Sequence, residues 1–436
     1  MLVKNNKLSL WAAVIIIVNI IIGSGVFINT TELAKRAGIL GSLCYALVGL
    51  LLLPLILSFV RLLQIHPVGG FYAFCNNSLH PFAGFINTWC YFFVKLSSCT
   101  LAIHIFTLLM QRTFPALTCI NATVFDIGIL VLLLGLNMLN VKTGSKIQGW
   151  LMVLKLFPIF FVIISGLFFL QGSNLTSVHQ LWSGLPSAIP LVLHAMLGFE
   201  VACSLIRTIE NPEVNGPRAI LISYGIVIVL YVLYQGIFYG VLGTSLAQTA
   251  NYSQAFPLLI SKFGISEYMR DILGNLIHIA IATSALGAAF GIIYANLWNL
   301  YSLAERNHTI TPATIMQRNR FNVPFVCVLA QGAIILTYLY IVRNEQTSFQ
   351  HVSAFGSTIT YTLSIIGLLA TLYKKRQSLL LPVLGLINCA ILMSASLYTL
   401  WKTNNPLPLY IVLAIIMLGS LIYALADNKN TNNVIQ

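Results

Sequence analysis

Charge is what this chain of 436 residues most lacks, since only 8% of its residues are Asp, Glu, Lys or Arg. Soluble proteins carry about 25% of such residues. A chain with so few could not cover a surface that faces water, whereas a surface that faces lipid needs none. Hydrophobic residues make up 58% of the sequence, and no domain-sized polar stretch divides them. We therefore expect an all-α integral membrane protein without an appended soluble domain.

The sequence also lacks the residue patterns of metal centres and enzyme active sites. Its eight Cys residues form no CxxC pair, and no His/Cys spacing typical of metal ligands occurs. Most of them lie inside apolar runs, where Cys behaves as a small hydrophobic residue. Paired carboxylates, an HExxH motif, a nucleophile motif and a phosphate-binding loop are missing as well. These absences predict no metal, no cofactor and no enzymatic activity.

Long apolar runs dominate, without the period-two alternation that barrel strands show. A helix needs about 20 apolar residues to cross a bilayer. Twelve runs meet or approach this requirement: 9–37, 40–65, 83–111, 124–141, 147–171, 185–206, 217–244, 269–303, 323–342, 352–373, 379–401 and 406–426. We predict twelve membrane-spanning helices in a single domain over residues 1–426, followed by a cytoplasmic tail over 427–436.

The net charge of +13 does not come from a basic cluster of the kind that binds nucleic acid. Lys and Arg lie between the apolar runs, where they determine the orientation of membrane helices. With the N-terminus inside, fourteen of them fall on the inner side, seven on the outer side and two within spans. This bias predicts that both termini are cytoplasmic, and we expect no nucleic acid partner.

Two of the predicted helices are interrupted at their centres. The first carries Gly23, Ser24 and Gly25, and the sixth carries Gly198, Phe199 and Glu200. Glycine weakens a helix and exposes its backbone. Because five spans separate the two interruptions, they occupy corresponding places in two halves of opposite orientation, which is typical of an inverted repeat with a site at the midplane.

Several segments resemble, in order and spacing, the signatures of the amino acid–polyamine–organocation transporters. They are residues 21–27 (IIGSGVF), 67–72 (PVGGFY), 81–85 (PFAGF), 140–148 (NVKTGSKIQ), 198–200 (GFE), 210–212 (ENP) and 217–220 (PRAI), with Lys155 between them. The match runs from about residue 8 to residue 325 and becomes thinner over the last four helices.

The resemblance implies two inverted five-helix repeats of the LeuT-like kind, about 9–171 and 185–373, plus two C-terminal helices over 379–426. It implies discontinuous first and sixth helices and transport by alternating access. The substrate is then an amino acid or related amine, moved by proton-coupled symport or by exchange without sodium. The arginine/agmatine antiporters are one similar group, although nothing in the sequence assigns their substrate to this chain. We expect a multi-pass protein of the cell membrane (the inner membrane in a Gram-negative bacterium) that contacts lipid and protons, with a homodimer as a further expectation.

A channel or an amino-acid-sensing receptor on the same scaffold is the alternative. A channel usually shows rings of charged or carbonyl-bearing residues along a continuous pore. This sequence instead shows isolated ionisable residues beside the interruptions, and the stretch after Asp427 is short for a signalling domain.

The substrate site is predicted at the two interruptions. Freed N–H groups of Ser24 and Gly25, at the start of a half-helix, suit the carboxylate of an amino acid. By resemblance, carbonyls near Ile21, His194 and Leu197 accept from its ammonium group. The alternative is that the glycines only allow helices to pack closely. The predicted substrate-binding residues are Ile21, Gly23, Ser24, Gly25, His194, Leu197, Gly198 and Phe199.

Glu200 is the acidic residue predicted to lie near the centre of the membrane. A charge there costs roughly 2.5–3.5 kcal/mol or more, so such a residue is functional by default. Two roles are open: Glu200 either ties the broken helix to its neighbours by hydrogen bonds or takes up and releases a proton. The resemblance implies a gating or coupling role.

Lys155 lies in the fifth predicted helix. In similar transporters a Lys here stands where sodium-coupled relatives hold a cation, and Ser284 is expected to line the same place. This favours proton coupling or exchange over sodium coupling. The alternative is that Lys155 extends its side chain to the inner interface.

Lys95 and His104 lie nine positions apart in the third predicted helix, and therefore on different faces. Lys95 is expected to pair with a carboxylate, such as that of the substrate side chain, which would favour acidic or neutral substrates over cationic ones. His104 is expected to be a hydrogen-bonded packing residue.

Overall fold

A computed structural model describes residues 7–176, 182–250, 252–341 and 346–435. Within these ranges the chain is helical, and its β-structure is one isolated bridge between Leu8 and Ile209. The α-helices are α1 (Leu10–Ile21), α2 (Gly25–Ala37), α3 (Leu40–Ile65), α4 (Gly70–Asn76), α5 (Pro81–Thr113), α6 (Ala122–Asn137), α7 (Val141–Phe169), α8 (Gly172–Thr176), α9 (Leu185–Ala195), α10 (Val201–Leu205), α11 (Pro212–Leu242), α12 (Thr244–Gln248), α13 (Tyr252–Ile260), α14 (Glu267–Glu305), α15 (Pro312–Ile315), α16 (Phe325–Ile341), α17 (Gln346–Lys374), α18 (Leu380–Thr403) and α19 (Leu407–Ile435).

Eight helices of the described chain are long and apolar enough to cross a membrane, namely α3, α5, α7, α11, α14, α17, α18 and α19. The bent pair of α1 and α2 can make a ninth span, while α6 and α16 are apolar but shorter. The all-α, multi-pass character predicted from the sequence is confirmed for the described residues. The number of twelve spans stays a prediction.

Helix ends depend on capping residues that lie outside the apolar runs. The Asn140 side chain accepts from the Thr143 N–H at 2.8 Å and starts α7 at Val141, six residues before the apolar run at 147. The Ser266 hydroxyl accepts in the same way from the Met269 N–H at 3.4 Å at the start of α14. The predicted runs therefore locate the helices, but several helices begin earlier than the runs.

Both predicted interruptions are present in the structure. α1 ends at Ile21 and α2 begins at Gly25, with a bend of 48° between their axes. α9 ends at Ala195 and α10 begins at Val201. Gly198, between α9 and α10, has φ +124°, a conformation that residues with a Cβ rarely adopt.

The broken helices are enclosed by the rest of the bundle. α1 packs on α7, α11 and α14, and α9 packs on α2 and α3. α5 and α14 pack along each other, and α17 lies against α5. Of the last two helices, α18 packs on α3 and α17, and α19 packs on α5 and α17. The two breaks are thus held at the centre, away from the apolar outer surface that carries exposed residues such as Trp150 and Phe168.

Candidate functional site

A cavity of about 110 Å³ lies between the two helix breaks. Its walls come from both breaks and from α5, α14 and α17. The residues that line it are Ile20, Ile21, Gly23, Ser24, Gly25, Lys95, Ser98, Leu101, Ala102, Ile105, Ala195, Leu197, Gly198, Ala285, Ala288, Ile292, Ser353 and Ser357. Six of the eight predicted substrate-binding residues are among them, and the exceptions are His194 and Phe199.

The break between α1 and α2 supplies hydrogen-bond donors to this cavity. Ser24 precedes α2, and its carbonyl accepts from the N–H groups of Phe27 and Ile28 at 3.2 and 3.1 Å. The described chain provides no backbone acceptor for the Ser24 N–H. Gly25 and Val26 are the first residues of α2, so their N–H groups have no acceptor within that helix. The start of α2 therefore has N–H groups that suit an anionic ligand, and binding of a substrate carboxylate there stays a prediction.

The break between α9 and α10 packs directly against the end of α1. A Cβ on Gly198 would lie 3.3 Å from the Ile21 Cα, so a larger residue would push the two breaks apart. The Gly198 N–H donates to Glu200 Oε2 at 2.9 Å, which closes the turn between the half-helices. Gly198 is thus required both for its backbone conformation and for close approach.

One tyrosine hydroxyl contacts the ends of both half-helices. Tyr231 Oη lies 3.2 Å from the Ile21 carbonyl and 3.4 Å from the Ala195 carbonyl. The Ile21 carbonyl also accepts from the Gly23 N–H at 2.8 Å. This carbonyl was expected to be free for a substrate ammonium group, but it already has two donors because the chain folds back at Gly23.

Glu200 and Lys95 form a buried ion pair beside the cavity. Lys95 Nζ lies 2.5 Å from Glu200 Oε1, and the Tyr91 hydroxyl lies 3.3 Å from the same oxygen. The Glu200 side chain is fully buried, whereas that of Lys95 is 7% exposed and reaches the cavity. Lys95 thus has the carboxylate partner that the sequence predicted, and this partner belongs to the protein itself.

Lys155 lies on α7 and is fully buried, and its side chain reaches the end of α1. Its Nζ donates to the carbonyls of Asn19 at 2.6 Å, Ser284 at 3.3 Å and Ile22. The Ser284 hydroxyl donates to the carbonyls of Ile22 and Gly23, each at 3.2 Å. The ammonium group therefore occupies a ring of oxygen atoms, and it does not extend to the inner interface as the alternative required.

Two of the predicted substrate-binding residues, Phe199 and His194, are not among the residues that line the cavity. Phe199 is buried in an aromatic cluster, with ring centroids 5.7 Å from Phe59 and 6.1 Å from Tyr361. It faces α3 and α17 because the turn at Gly198 rotates it away from the cavity. The side chain of His194 lies outside the described part of the structure.

Sequence reasoning missed Asp126 and Tyr231. Asp126 is a second buried acid, and its Oδ2 lies 2.8 Å from His104 Nδ1. A His and an Asp in adjacent apolar runs were a signal for this pair, and His104 is hydrogen-bonded as expected. Tyr231 gave no signal, since tyrosine is common in apolar helices.

Comparison with known proteins identifies amino acid permeases and transporters as relatives of this chain. A family model described as amino acid permease matches residues 8–432. The human cystine/glutamate transporter is 25% identical over 420 residues, covering 90% of this chain and 80% of that protein. The uncharacterized amino acid permease YtnA of Bacillus subtilis is 24% identical over 379 residues, covering 82% and 78%. The b(0,+)-type amino acid transporter 1 of Mus musculus is 24% identical over 386 residues, covering 85% and 77%.

None of these three relatives is named as an arginine/agmatine antiporter, so the narrower resemblance to that group has no support from them. Their names and the apolar helices indicate a membrane transporter and not an enzyme. Because the family model covers nearly the whole sequence, this chain belongs to the amino acid permease family.

Proposed function

We propose that the protein is a secondary active transporter that moves an amino acid across the cytoplasmic membrane by alternating access. The observation that carries this proposal is the cavity that both helix breaks line. Backbone N–H and C=O groups without a helical partner occur at membrane depth only where they are buried in protein or line a water-filled cavity. Here they line a space at the centre of the bundle.

The amino acid backbone is recognised by the two breaks. Its carboxylate accepts from the N–H groups of Ser24 and Gly25, where the dipole of α2 favours a negative group. Its ammonium group donates to carbonyls at the end of α9, near His194 and Leu197, with the Ala195 carbonyl beside them. The Ile21 carbonyl is left out of this role because it already has two donors.

Coupling depends on the ionisable residues around the breaks. The Lys155 ammonium fills a ring of carbonyl oxygens of the kind that binds a sodium ion, so transport is independent of sodium. Glu200 is the residue that exchanges a proton, either during symport or during exchange of two substrates. Movement of the half-helices at Gly23–Gly25 and Gly198 opens the cavity to each side in turn.

The proposal assigns the side of the bundle near Leu8 to the cytoplasm, and contacts there favour a closed inner side. The Leu8 N–H donates to the Thr208 carbonyl at 2.7 Å, and the Glu210 N–H donates to the Leu8 carbonyl at 2.9 Å. Arg207 pairs with Glu305 across the same region. The proposal includes twelve membrane spans with both termini in the cytoplasm. It also includes release of the substrate to the cytoplasm when these contacts open.

Uptake by proteoliposomes tests the proposal. The purified protein is reconstituted, and labelled amino acids are supplied with and without a pH gradient and with and without unlabelled amino acid inside. We expect saturable uptake of at least one amino acid in sodium-free buffer, stimulated by one of the two gradients. Binding without uptake would indicate a sensor, and non-saturable flux would indicate a channel.

A further inference from the structure

Lys95 stands between the cavity and Glu200. Its side chain lines the cavity, and its Nζ contacts Glu200 Oε1 at 2.5 Å. An ammonium group has three N–H donors. The structure provides no acceptor for the other two among the described residues, and the ring of Tyr91 lies 5.7 Å from Nζ. Lys95 therefore presents unused donors to a ligand in the cavity.

The groups that face Glu200 come from three helices. They are Lys95 and Tyr91 from α5, Cys203 from α10 and Tyr361 from α17, with the Gly198 N–H at the turn. Of these side chains, Lys95 is the one basic group, and the others are a thiol and two phenols. The charges of Lys95 and Glu200 add to zero, which is the stable arrangement for a buried pair.

A second group of polar atoms lines the cavity near Lys95. Ser98 follows Lys95 by three positions on α5, and its hydroxyl bonds that of Ser353 on α17. Ser357 lies one turn further along α17 and is 1% exposed. The cavity thus has two polar walls: the breaks, which suit the backbone of an amino acid, and this α5–α17 wall, which suits a polar side chain.

We propose that Lys95 and Glu200 form a switch that binds an acidic amino acid together with one proton. A proton from solution neutralises the Glu200 carboxylate, which then leaves the Lys95 ammonium. The freed ammonium pairs with the side-chain carboxylate of the substrate. This inference rests on the proposed transport function and names its substrate class.

Charge balance links the two events. Before binding, the pair carries one positive and one negative charge; afterwards, Lys95 is positive, the substrate side chain is negative and Glu200 is neutral. Either event alone leaves an uncompensated charge in a buried site, which is strongly unfavourable. Each acidic amino acid therefore enters with one proton, and the cycle moves no net charge through this pair. A neutral amino acid needs no proton, and a cationic side chain is repelled by Lys95.

Binding of L-glutamate, L-glutamine and L-arginine to the purified protein over about pH 5 to 8 tests the switch. Over the pH range in which the free protein holds Glu200 as a carboxylate and the glutamate complex holds it protonated, the affinity for glutamate should fall about tenfold per pH unit, because one proton binds with each glutamate. The affinity for glutamine should change little. In Glu200→Gln, glutamate binding should become independent of pH. In Lys95→Met, glutamate should lose its advantage over glutamine.

Because Lys95→Met leaves Glu200 without its partner, the double variant Lys95→Met/Glu200→Gln keeps the test valid if the single variant misfolds. Lys142→Met, at an exposed lysine of α7, is the matched control and should bind as the wild type. In proteoliposomes, glutamate uptake should respond to a pH gradient and not to a membrane potential.

Equal binding of glutamate and glutamine, or pH-dependent glutamate binding that survives Glu200→Gln, would overturn the switch alone. Transport of neutral or cationic amino acids would then still support the proposed function. Absence of transport of any amino acid would overturn the function and the switch together.

Discussion

At the scale of single residues, three ionisable side chains lie inside the bundle, where a membrane protein does not tolerate them without a partner. Lys155, Lys95 and Glu200 are all buried, and each contacts polar atoms of another segment. A buried charge without partners is strongly unfavourable, so their contacts explain why these residues fit in an apolar bundle. They also place ionisable groups beside the helix breaks.

Lys155→Met should destabilise the protein and stop transport. The substitution leaves carbonyls of Asn19, Ile22 and Ser284 without their charged donor, at a cost of roughly 2 kcal/mol or more. The melting temperature in detergent and proteoliposome uptake measure the two effects. Lys142→Met, which removes an exposed lysine from the same helix, should change neither. Wild-type melting and uptake in Lys155→Met would exclude the role given to this ammonium group.

Tyr231→Phe should weaken substrate binding and lower the free energy of unfolding by about 1 kcal/mol, because one hydrogen bond to a helix end is lost. Tyr45→Phe is the matched control. The Tyr45 ring centroid lies 5.0 Å from that of Tyr231, yet its hydroxyl has no hydrogen-bond partner among the described residues. Equal effects of the two substitutions on ligand affinity would show that the Tyr231 contact does not connect the breaks.

Ionisable residues in apolar runs could be recognised from the sequence, whereas most of their contacts could not. Lys155 and Glu200 could be singled out because a charge in an apolar run is rare and requires a reason. The partners could be predicted only in part. The resemblance placed Ser284 near Lys155, and Lys95 was expected to pair with a carboxylate. The contact of Lys155 with Asn19 and the pairing of Lys95 with Glu200 depend on the packing of separate helices. Asp126 was overlooked because the prediction treated Glu200 as the one acid deep in the membrane, although His104 stood nearby as its partner.

At the scale of elements, the breaks follow from local backbone chemistry. Gly198 has positive φ and contacts the backbone of Ile21, so the two broken helices fit each other only with glycine there. The sequence could predict both breaks because Gly23 and Gly25, and Gly198 followed by the charged Glu200, interrupt long apolar runs. It could not predict that Phe199 turns away into an aromatic cluster, since that depends on the rotation of the turn.

Gly198→Ala should destabilise the protein by about 1–3 kcal/mol, because a Cβ is strained at φ +124° and lies close to Ile21. Gly128→Ala, in α6, has open space around it and should be neutral or stabilising by up to about 1 kcal/mol. The melting temperatures of both variants in detergent, compared with that of the wild type, test this difference. A stable Gly198→Ala variant would mean that the break does not require this conformation.

At the scale of the whole molecule, composition predicted a membrane protein, and the length and continuity of the apolar runs predicted helices. Helix positions followed from the apolar runs, whereas short helices between spans, such as α4 and α13, did not, because they are neither long nor uniformly apolar. The orientation rests on the distribution of Lys and Arg and stays a prediction.

Cys119 allows the orientation to be tested without introducing a cysteine. It is exposed between α5 and α6, on the predicted outer side, whereas the other seven cysteines are buried. A membrane-impermeant maleimide should therefore label intact cells through Cys119, and Cys119→Ser should remove the label. Labelling confined to inverted membrane vesicles would reverse the proposed topology.

The central claim is that the cavity between the two breaks binds the amino acid, and Gly25→Leu tests it most directly. A Cβ at Gly25 would lie 3.8 Å from Ala195 Cβ, an ordinary contact, so the larger part of a leucine side chain must occupy the cavity. The measurement is equilibrium binding of a labelled amino acid that the wild type transports, with Gly128→Leu as control. We predict that Gly25→Leu folds but does not bind, while Gly128→Leu binds normally. Wild-type affinity in a folded Gly25→Leu protein would contradict the account.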